Sequence, residues 1–252
     1  MKKILVPTLI ALALGSVTGL AQAQAAAPAS SLSFNVGAVS DYRYRGISQS
    51  RLQPALQGGL DYADKSGFYV GAWGSSIKWI KDTPGVTKGA TELDVYGGYK
   101  GALGDVSYDL GLLSYIYSGN NYGNATAGGT KSANTNEAYA AVTLGPVTAK
   151  YSHAYSDLFG NAGTKNSYYL DLSAAFDLGS GFSLTPHVGY QKFKNLAIAT
   201  YTDYSLTLAK DLGNGLSASA AVVGTDADKG FYTLKDKFNG KSGLVVSLKY
   251  AF

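Results

Sequence analysis

From Leu32 onward the chain alternates apolar and polar residues in segment after segment. Leu32, Phe34, Val36 and Ala38 share one parity with Tyr42 and Tyr44, while Ser33, Asn35, Asp41, Arg43 and Arg45 take the other. Successive side chains of a strand point to opposite faces, so period two predicts strands with one apolar and one polar face. The next segment sets Leu52, Leu56, Leu60 and Tyr62 against Gln53, Gln57 and Asp61, and "TELDVYGGYK" sets Leu93, Val95 and Tyr99 against Glu92, Asp94 and Tyr96. Helical spacing is almost absent beyond the N-terminal segment. In all, about twelve strands are predicted, near 32–47, 52–63, 67–79, 91–100, 105–117, 136–145, 147–156, 167–177, 182–193, 200–210, 216–225 and 241–252.

The connections sort by length. Short turns follow every second strand: "DKSG" (Asp64 to Gly67), "GALGD" (Gly101 to Asp105), Gly145-Pro146, "DLGSG" (Asp177 to Gly181) and "DLGNG" (Asp211 to Gly215). The last two read as one hairpin turn used twice, with glycines supplying positive φ. Longer loops rich in Gly, Asn, Thr and Lys lie between, at Lys81 to Ala90, Ser118 to Thr135, Ser156 to Asn166 and Asp226 to Gly240. Short turns at one end and long loops at the other are the arrangement of an outer-membrane barrel, and a soluble sandwich has no reason to adopt it. The expected fold is all-β, a transmembrane antiparallel up-and-down β-barrel of about twelve strands, within a range of about ten to fourteen.

The termini agree with this. Lys2 and Lys3 precede an apolar run from Ile4 to Leu20 and the small residues Ala21-Gln22-Ala23, which predicts a signal peptide over 1–23 and export through the Sec pathway. A short tail (24–31) and a single barrel domain (32–252) follow. At the other end Leu244, Val246, Leu248, Tyr250 and Phe252 alternate with Val245, Ser247, Lys249 and Ala251, and the last residue is aromatic. Leu248, Tyr250 and Phe252 are therefore expected to form the signal read by the barrel assembly machinery.

Composition narrows the chemistry. The 20 tyrosines and 32 glycines, against 6 prolines, favour strands and tight turns, and the absence of cysteine excludes disulfides and thiolate metal sites. After the signal no apolar run reaches the ~18 residues of a membrane helix, which leaves a barrel as the spanning structure. No cofactor and no metal site is expected.

At "SDYRYRGISQS", with "PALQGGLDY", "SGFYVGAWGSS" and "ELDVYGGY" behind it, the chain resembles the TorF-type porin family (Gcw_chp) of proteobacterial outer-membrane β-barrels. The resemblance covers the mature chain and is sharpest in its first four strands. It implies an outer-membrane barrel with a porin role and no particular substrate. Where the family label refers to a Gly-Cys-Trp element, this chain reads Gly71-Ala72-Trp73, so nothing that depends on a thiol carries over.

Parity then assigns faces. Asp41, Arg43, Arg45, Asp61, Glu92, Asp94, Asp109, Glu137, Lys150, Asp171, His187, Asp203 and Lys249 are expected to line the lumen, where acids outnumber bases and favour a weak cation preference. Tyr42, Tyr44, Tyr62 and Tyr99 are expected at the lipid interface, ring in the apolar boundary and hydroxyl toward water. "SDYRYRGISQS" is a poor nucleic-acid face, because stacking and phosphate neutralisation need aromatics and cations on one side and period two separates them. The two arginines either set ion preference or pair with lumen acids as part of the wall. The loop from Ser118 to Thr135 lacks the acids of a charged constriction and reads as a flexible surface loop.

The expected function is passive diffusion of small polar solutes or ions through a porin-like channel in the bacterial outer membrane, with membrane lipid as its surroundings. A structural or adhesin-type barrel is the alternative. A lipid-modifying enzyme is less favoured: the histidines are His153, on the lipid-facing parity near a rim, and His187, facing inward, and no motif joins either to a nucleophile.

Overall fold

The computed structural model describes residues 30–125 and 132–252. The expected signal peptide, most of the tail and the middle of the Ser118 to Thr135 loop lie outside the described residues. The wall consists of β1 (Ser31–Val39), β2 (Ala55–Ala63), β3 (Phe68–Ser76), β4 (Thr91–Leu103), β5 (Val106–Tyr117), β6 (Thr135–Leu144), β7 (Val147–Ala154), β8 (Tyr168–Ala174, continued by Phe176–Gly179), β9 (Phe182–Lys192), β10 (Tyr201–Gly213), β11 (Leu216–Thr225) and β12 (Gly243–Ala251). Each strand pairs antiparallel with its sequence neighbours. The first and last strands pair from Asn35↔Ala251 to Val39↔Ser247, which closes a barrel of twelve strands. Closure leaves no sheet edge, so the wall's backbone donors and acceptors are met inside the ring, as a hydrocarbon surround requires.

Alternation places apolar side chains outside. Leu32, Phe34 and Val36 of β1, Leu110 and Leu112 of β5, Leu170 and Leu172 of β8, and Leu206 and Leu208 of β10 are all exposed. On a water-soluble protein so continuous an apolar girdle would be a liability, whereas against lipid tails it carries no penalty. Tyr62 and Phe68 stand exposed near the short-turn end, with Tyr99 packed edge-on against Phe68 at 5.0 Å between ring centres.

The two "DLG" turns are one device repeated. Asp177 accepts a hydrogen bond from the Gly179 amide and Asp211 from the Gly213 amide, both at 2.8 Å. A bulge follows each aspartate. Ser180-Gly181 and Asn214-Gly215 then both take positive φ (52° and 76°; 51° and 81°), the two-residue hairpin turn whose twist matches that of the strands.

The long-loop end departs from expectation. β1 stops at Val39 instead of running to residue 47, and β3 stops at Ser76, giving way to a helical turn α1 (Trp79–Asp82). The loops gather into two apolar clusters. Trp79 sits against Tyr117 and Tyr122 at 5.4 and 5.7 Å, with Ile80 and Ala133 fully buried beside them. Leu158, Phe193, Tyr201 and Ala227 form the second, flanked by Tyr232 and by Phe238 of a small hairpin, Thr233–Leu234 with Lys237–Phe238. The loop from Ser118 to Thr135 is expected as a flexible surface loop; its described ends belong to this roof, where Tyr122 and Ala133 find buried partners.

Candidate functional site

The segment between β1 and β2, Ser40 to Pro54, turns into the barrel. Ser40 still holds the wall, its amide donating to the Val246 carbonyl at 2.9 Å and its hydroxyl accepting from the Val246 amide at 3.0 Å. From Asp41 to Ser50 every residue is buried. Arg43–Tyr44 and Ile47–Ser48 form a short antiparallel hairpin, paired Arg43↔Ser48 and Tyr44↔Ile47. Its turn is Arg45-Gly46, both at positive φ (47° and 77°), again the hairpin turn of that twist.

Local polar groups stiffen the segment. Asp41 accepts from the Arg43 guanidinium at 2.5 Å and from the Ser48 hydroxyl. Ser50 accepts from the Tyr42 amide at 2.9 Å and donates to the Gln53 carbonyl at 2.5 Å. Arg43 also donates to the carbonyls of Gly46 and Asn239 at 2.9 and 3.1 Å, and the Ser48 amide donates to the same Asn239 carbonyl at 2.9 Å. The last loop before β12 therefore clamps the hairpin from the other side.

Arg45 reaches across the lumen. Its two terminal nitrogens donate to both Glu137 carboxylate oxygens at 3.0 and 2.7 Å, and one of them also donates to the Gln191 side-chain carbonyl at 2.6 Å. The guanidinium lies over the rings of Tyr44 and Tyr169 at 4.7 and 4.3 Å. Glu137 stands on β6, Tyr169 on β8 and Gln191 on β9, on the far side of the ring from β1 and β2. The pair is almost wholly dehydrated, with Arg45 4% and Glu137 1% exposed. Such a pair holds the hairpin firmly, because removing one partner strands a buried charge at a cost of about 3–5 kcal/mol.

The receiving wall is organised in advance. The Tyr115 hydroxyl donates to Glu137 at 3.1 Å, and Gln191 is aimed by donating its amide to the Tyr168 carbonyl at 3.0 Å. The Tyr169 hydroxyl meets Asp203 at 2.9 Å and His187 at 3.2 Å, and His187 meets Asp171 at 2.7 Å. Nearer the short-turn end, Tyr96 donates to Asp61 at 2.5 Å and Tyr69 to Asp109 at 2.6 Å. Lys100 and Lys150 cover the rings of Tyr69 and Tyr139 at 4.7 and 4.1 Å.

Among the residues expected to line the lumen, Asp61, Glu92, Asp94, Asp109, Glu137, Lys150, Asp171, His187, Asp203 and Lys249 do face inward, from the strands. Asp41, Arg43 and Arg45 are inside as well, but on the inserted segment and not on the wall. Tyr42 and Tyr44 are a correction. Expected at the lipid boundary, they are buried in the interior, Tyr42 edge-on to Trp73 at 5.3 Å and Tyr44 against Tyr115 and Phe159 at 5.4 and 5.6 Å. The chain leaves the wall at Ser40, and parity carried past that point no longer separates lipid from lumen. Tyr62 and Tyr99 lie on the outer face. Sequence reading passed over Trp73, Tyr169 and Gln191, whose inward parity was visible but whose partners were not. It also passed over Lys100, inward on β4, 3.9 Å from Asp109.

His153 faces outward beside Tyr151 and Asn166, at 2.9 and 3.2 Å, while Ser152 turns inward and is buried. Parity keeps the two apart, so they form no nucleophile and base pair. At the C-terminus Leu248, Tyr250 and Phe252 are exposed on the outer face, and Phe252 exchanges backbone hydrogen bonds with Phe34 at 2.8 and 2.9 Å and stacks on its ring at 5.8 Å.

Several solved structures share this architecture. A KdgM porin superposes with a TM-score of 0.55 at 9% identity, covering 87% of this chain and 99% of that one. A KdgM porin in complex with disordered oligogalacturonate gives 0.53 at 8% identity, over 88% and 98% of the two chains. A NanC porin gives 0.54 at 12% identity, over 88% and 99%. At these identities the likeness is one of fold. No curated protein matches the chain. Residues 22–252 match the model of the family described as "Bacterial protein of unknown function (Gcw_chp)", nearly the whole length, and the chain belongs to that family.

Proposed function

We propose that this protein is a porin-like channel of the bacterial outer membrane for small polar solutes or ions, with its passage narrowed by its own Ser40 to Pro54 segment. The observation that carries this reading is the combination of an apolar outer face with a charged interior inside one closed barrel. A barrel built only to sit in lipid has no use for buried carboxylates, which are costly unless paired or wetted. That the solved barrels of like fold are porins supports the same reading. Solute choice then follows from lumen charge and width without chemical catalysis. Inward acids outnumber inward bases among the described residues, which supports a weak cation preference. Sec export, delivery to the assembly machinery and a lipid surround complete the proposal.

The rival is a non-conducting structural barrel. What favours it is the Arg45 to Glu137 bridge, which spans the lumen under near-complete burial. Single-channel recording of refolded protein separates the two. Brief, small steps whose reversal potential under a salt gradient shifts toward the cation are expected. Silence over the full voltage range from both the intact chain and an Arg45→Ala variant would establish the structural barrel instead, and an anion-selective reversal would remove the cation preference.

A further inference from the structure

Arg45 sits in its site as a bound guanidinium would. Both oxygens of one carboxylate accept from the flat fork, an oriented amide oxygen takes a further N–H, and an aromatic ring from the wall lies over the cation. Planar bidentate pairing with ring stacking is the geometry that distinguishes a guanidinium from an ammonium. Four of the groups that make the site, Glu137, Gln191, Tyr169 and Tyr115, belong to the wall and hydrogen-bond to Tyr168, Asp203 and one another, while the Tyr115 hydroxyl also meets that of Tyr44 in the hairpin at 2.5 Å. Only Tyr44 comes with the occupant.

We propose that Glu137, Gln191, Tyr169 and Tyr115 form a recognition site for small guanidinium-bearing solutes, and that Arg45 occupies it as a tethered stand-in. The channel reading enters only as the route by which the solute arrives. Carried on a stiff hairpin, the Arg45 side chain competes with solute at a high effective concentration. A free guanidinium displaces it only at a correspondingly high level, and does so by taking over the contacts that Arg45 makes with Glu137, Gln191 and Tyr169. Withdrawal of Arg45 releases the turn that holds the hairpin to the far wall, so occupancy by solute and opening of the passage are one event.

The test is binding to the Arg45→Ala variant, with millimolar guanidinium chloride as probe and equal sodium chloride as control. Guanidinium is expected to raise the melting temperature of the refolded R45A barrel where sodium does not. The R45A/E137Q double variant, which leaves no orphaned carboxylate, is expected to fold and to bind the probe at least about tenfold more weakly. If R45A folds poorly alone, its refolding yield is the readout, and recovery by guanidinium but not sodium supports the site. Equal response to the two salts, in melting or in yield, overturns it. These readouts need no current, so a barrel that binds guanidinium yet never conducts keeps the site and loses the channel. A conducting barrel indifferent to guanidinium does the reverse.

Discussion

Gly46 carries a constraint that its sequence context hides. Its φ is +77°, and a Cβ there would lie 2.5 Å from the Thr225 methyl and 2.6 Å from the Asp203 Cβ, so the tip of the hairpin is pressed against β10 and β11. Glycine serves twice, for the turn and for the close approach. Asp82 does similar work in the roof. It pairs with Arg51 of the inserted segment and, at 3.1 Å, with Lys235 of the last loop, while Arg51 also donates to the Leu234 and Lys235 carbonyls at 3.3 and 3.2 Å. Burial works against the charged carboxylate, but the Arg51 and Lys235 hydrogen bonds and charges outweigh it and hold the acid below its ordinary range. The folded value thus lies under the unfolded one, of about 3.9. The pair's contribution is complete above that unfolded value and is lost as the pH falls through the depressed one. Thermal unfolding in detergent should accordingly show wild type losing stability below about pH 4, while Asp82→Asn starts lower and changes less over the same range. Parallel curves for the two proteins would place the acid sensitivity elsewhere.

Among the elements, the inserted hairpin is separable from the wall. β1 and β2 pair through nine consecutive positions, from Ser31↔Ala63 to Val39↔Ala55, without any help from the segment between them. Replacing 41–52 by a short glycine-containing turn should leave a heat-modifiable barrel on gels and raise single-channel conductance severalfold, since the inserted side chains then no longer fill the lumen. Unchanged conductance in a folded variant would show that the wall and roof, not the hairpin, set the passage. Most elements were legible from alternation and turn residues, because both are local. The "DLG" repeat is the clearest case: aspartate, bulge and positive-φ pair lie within five residues of one another. The first strand was read eight residues too long, to 47, since Asp41 to Arg45 keep the alternation after the chain has left the sheet. A two-stranded hairpin alternates as a wall strand does, and nothing in its own residues tells which sheet it joins. The roof was missed for a related reason, its apolar residues being scattered singly over loops that only meet in space.

For the whole molecule, the apolar girdle sets what the barrel tolerates. Leu112 stands mid-strand on β5 with 57% of its surface exposed, on the face read as meeting lipid tails. Arginine at such a position should cost about 2–4 kcal/mol by denaturant titration of the refolded barrel in lipid vesicles, whereas the same change made near the short-turn end should cost about 0–1. Equal, small costs at both depths would mean that this face meets water.

Inside and outside were therefore decided by the sequence wherever the chain remains in the wall, because the two faces of a strand are fixed by its covalent geometry. So were the strand number, the sorted turns and the class of fold. Whether Ser40 to Pro54 would extend the wall or cross the lumen was decided only by tertiary structure. The groups that hold Arg45 lie 92 and 146 residues away along the chain. Only closing the ring brings Glu137 and Gln191 within reach of that guanidinium, and with it an alternating tyrosine and arginine stretch leaves the wall for the buried interior of the barrel.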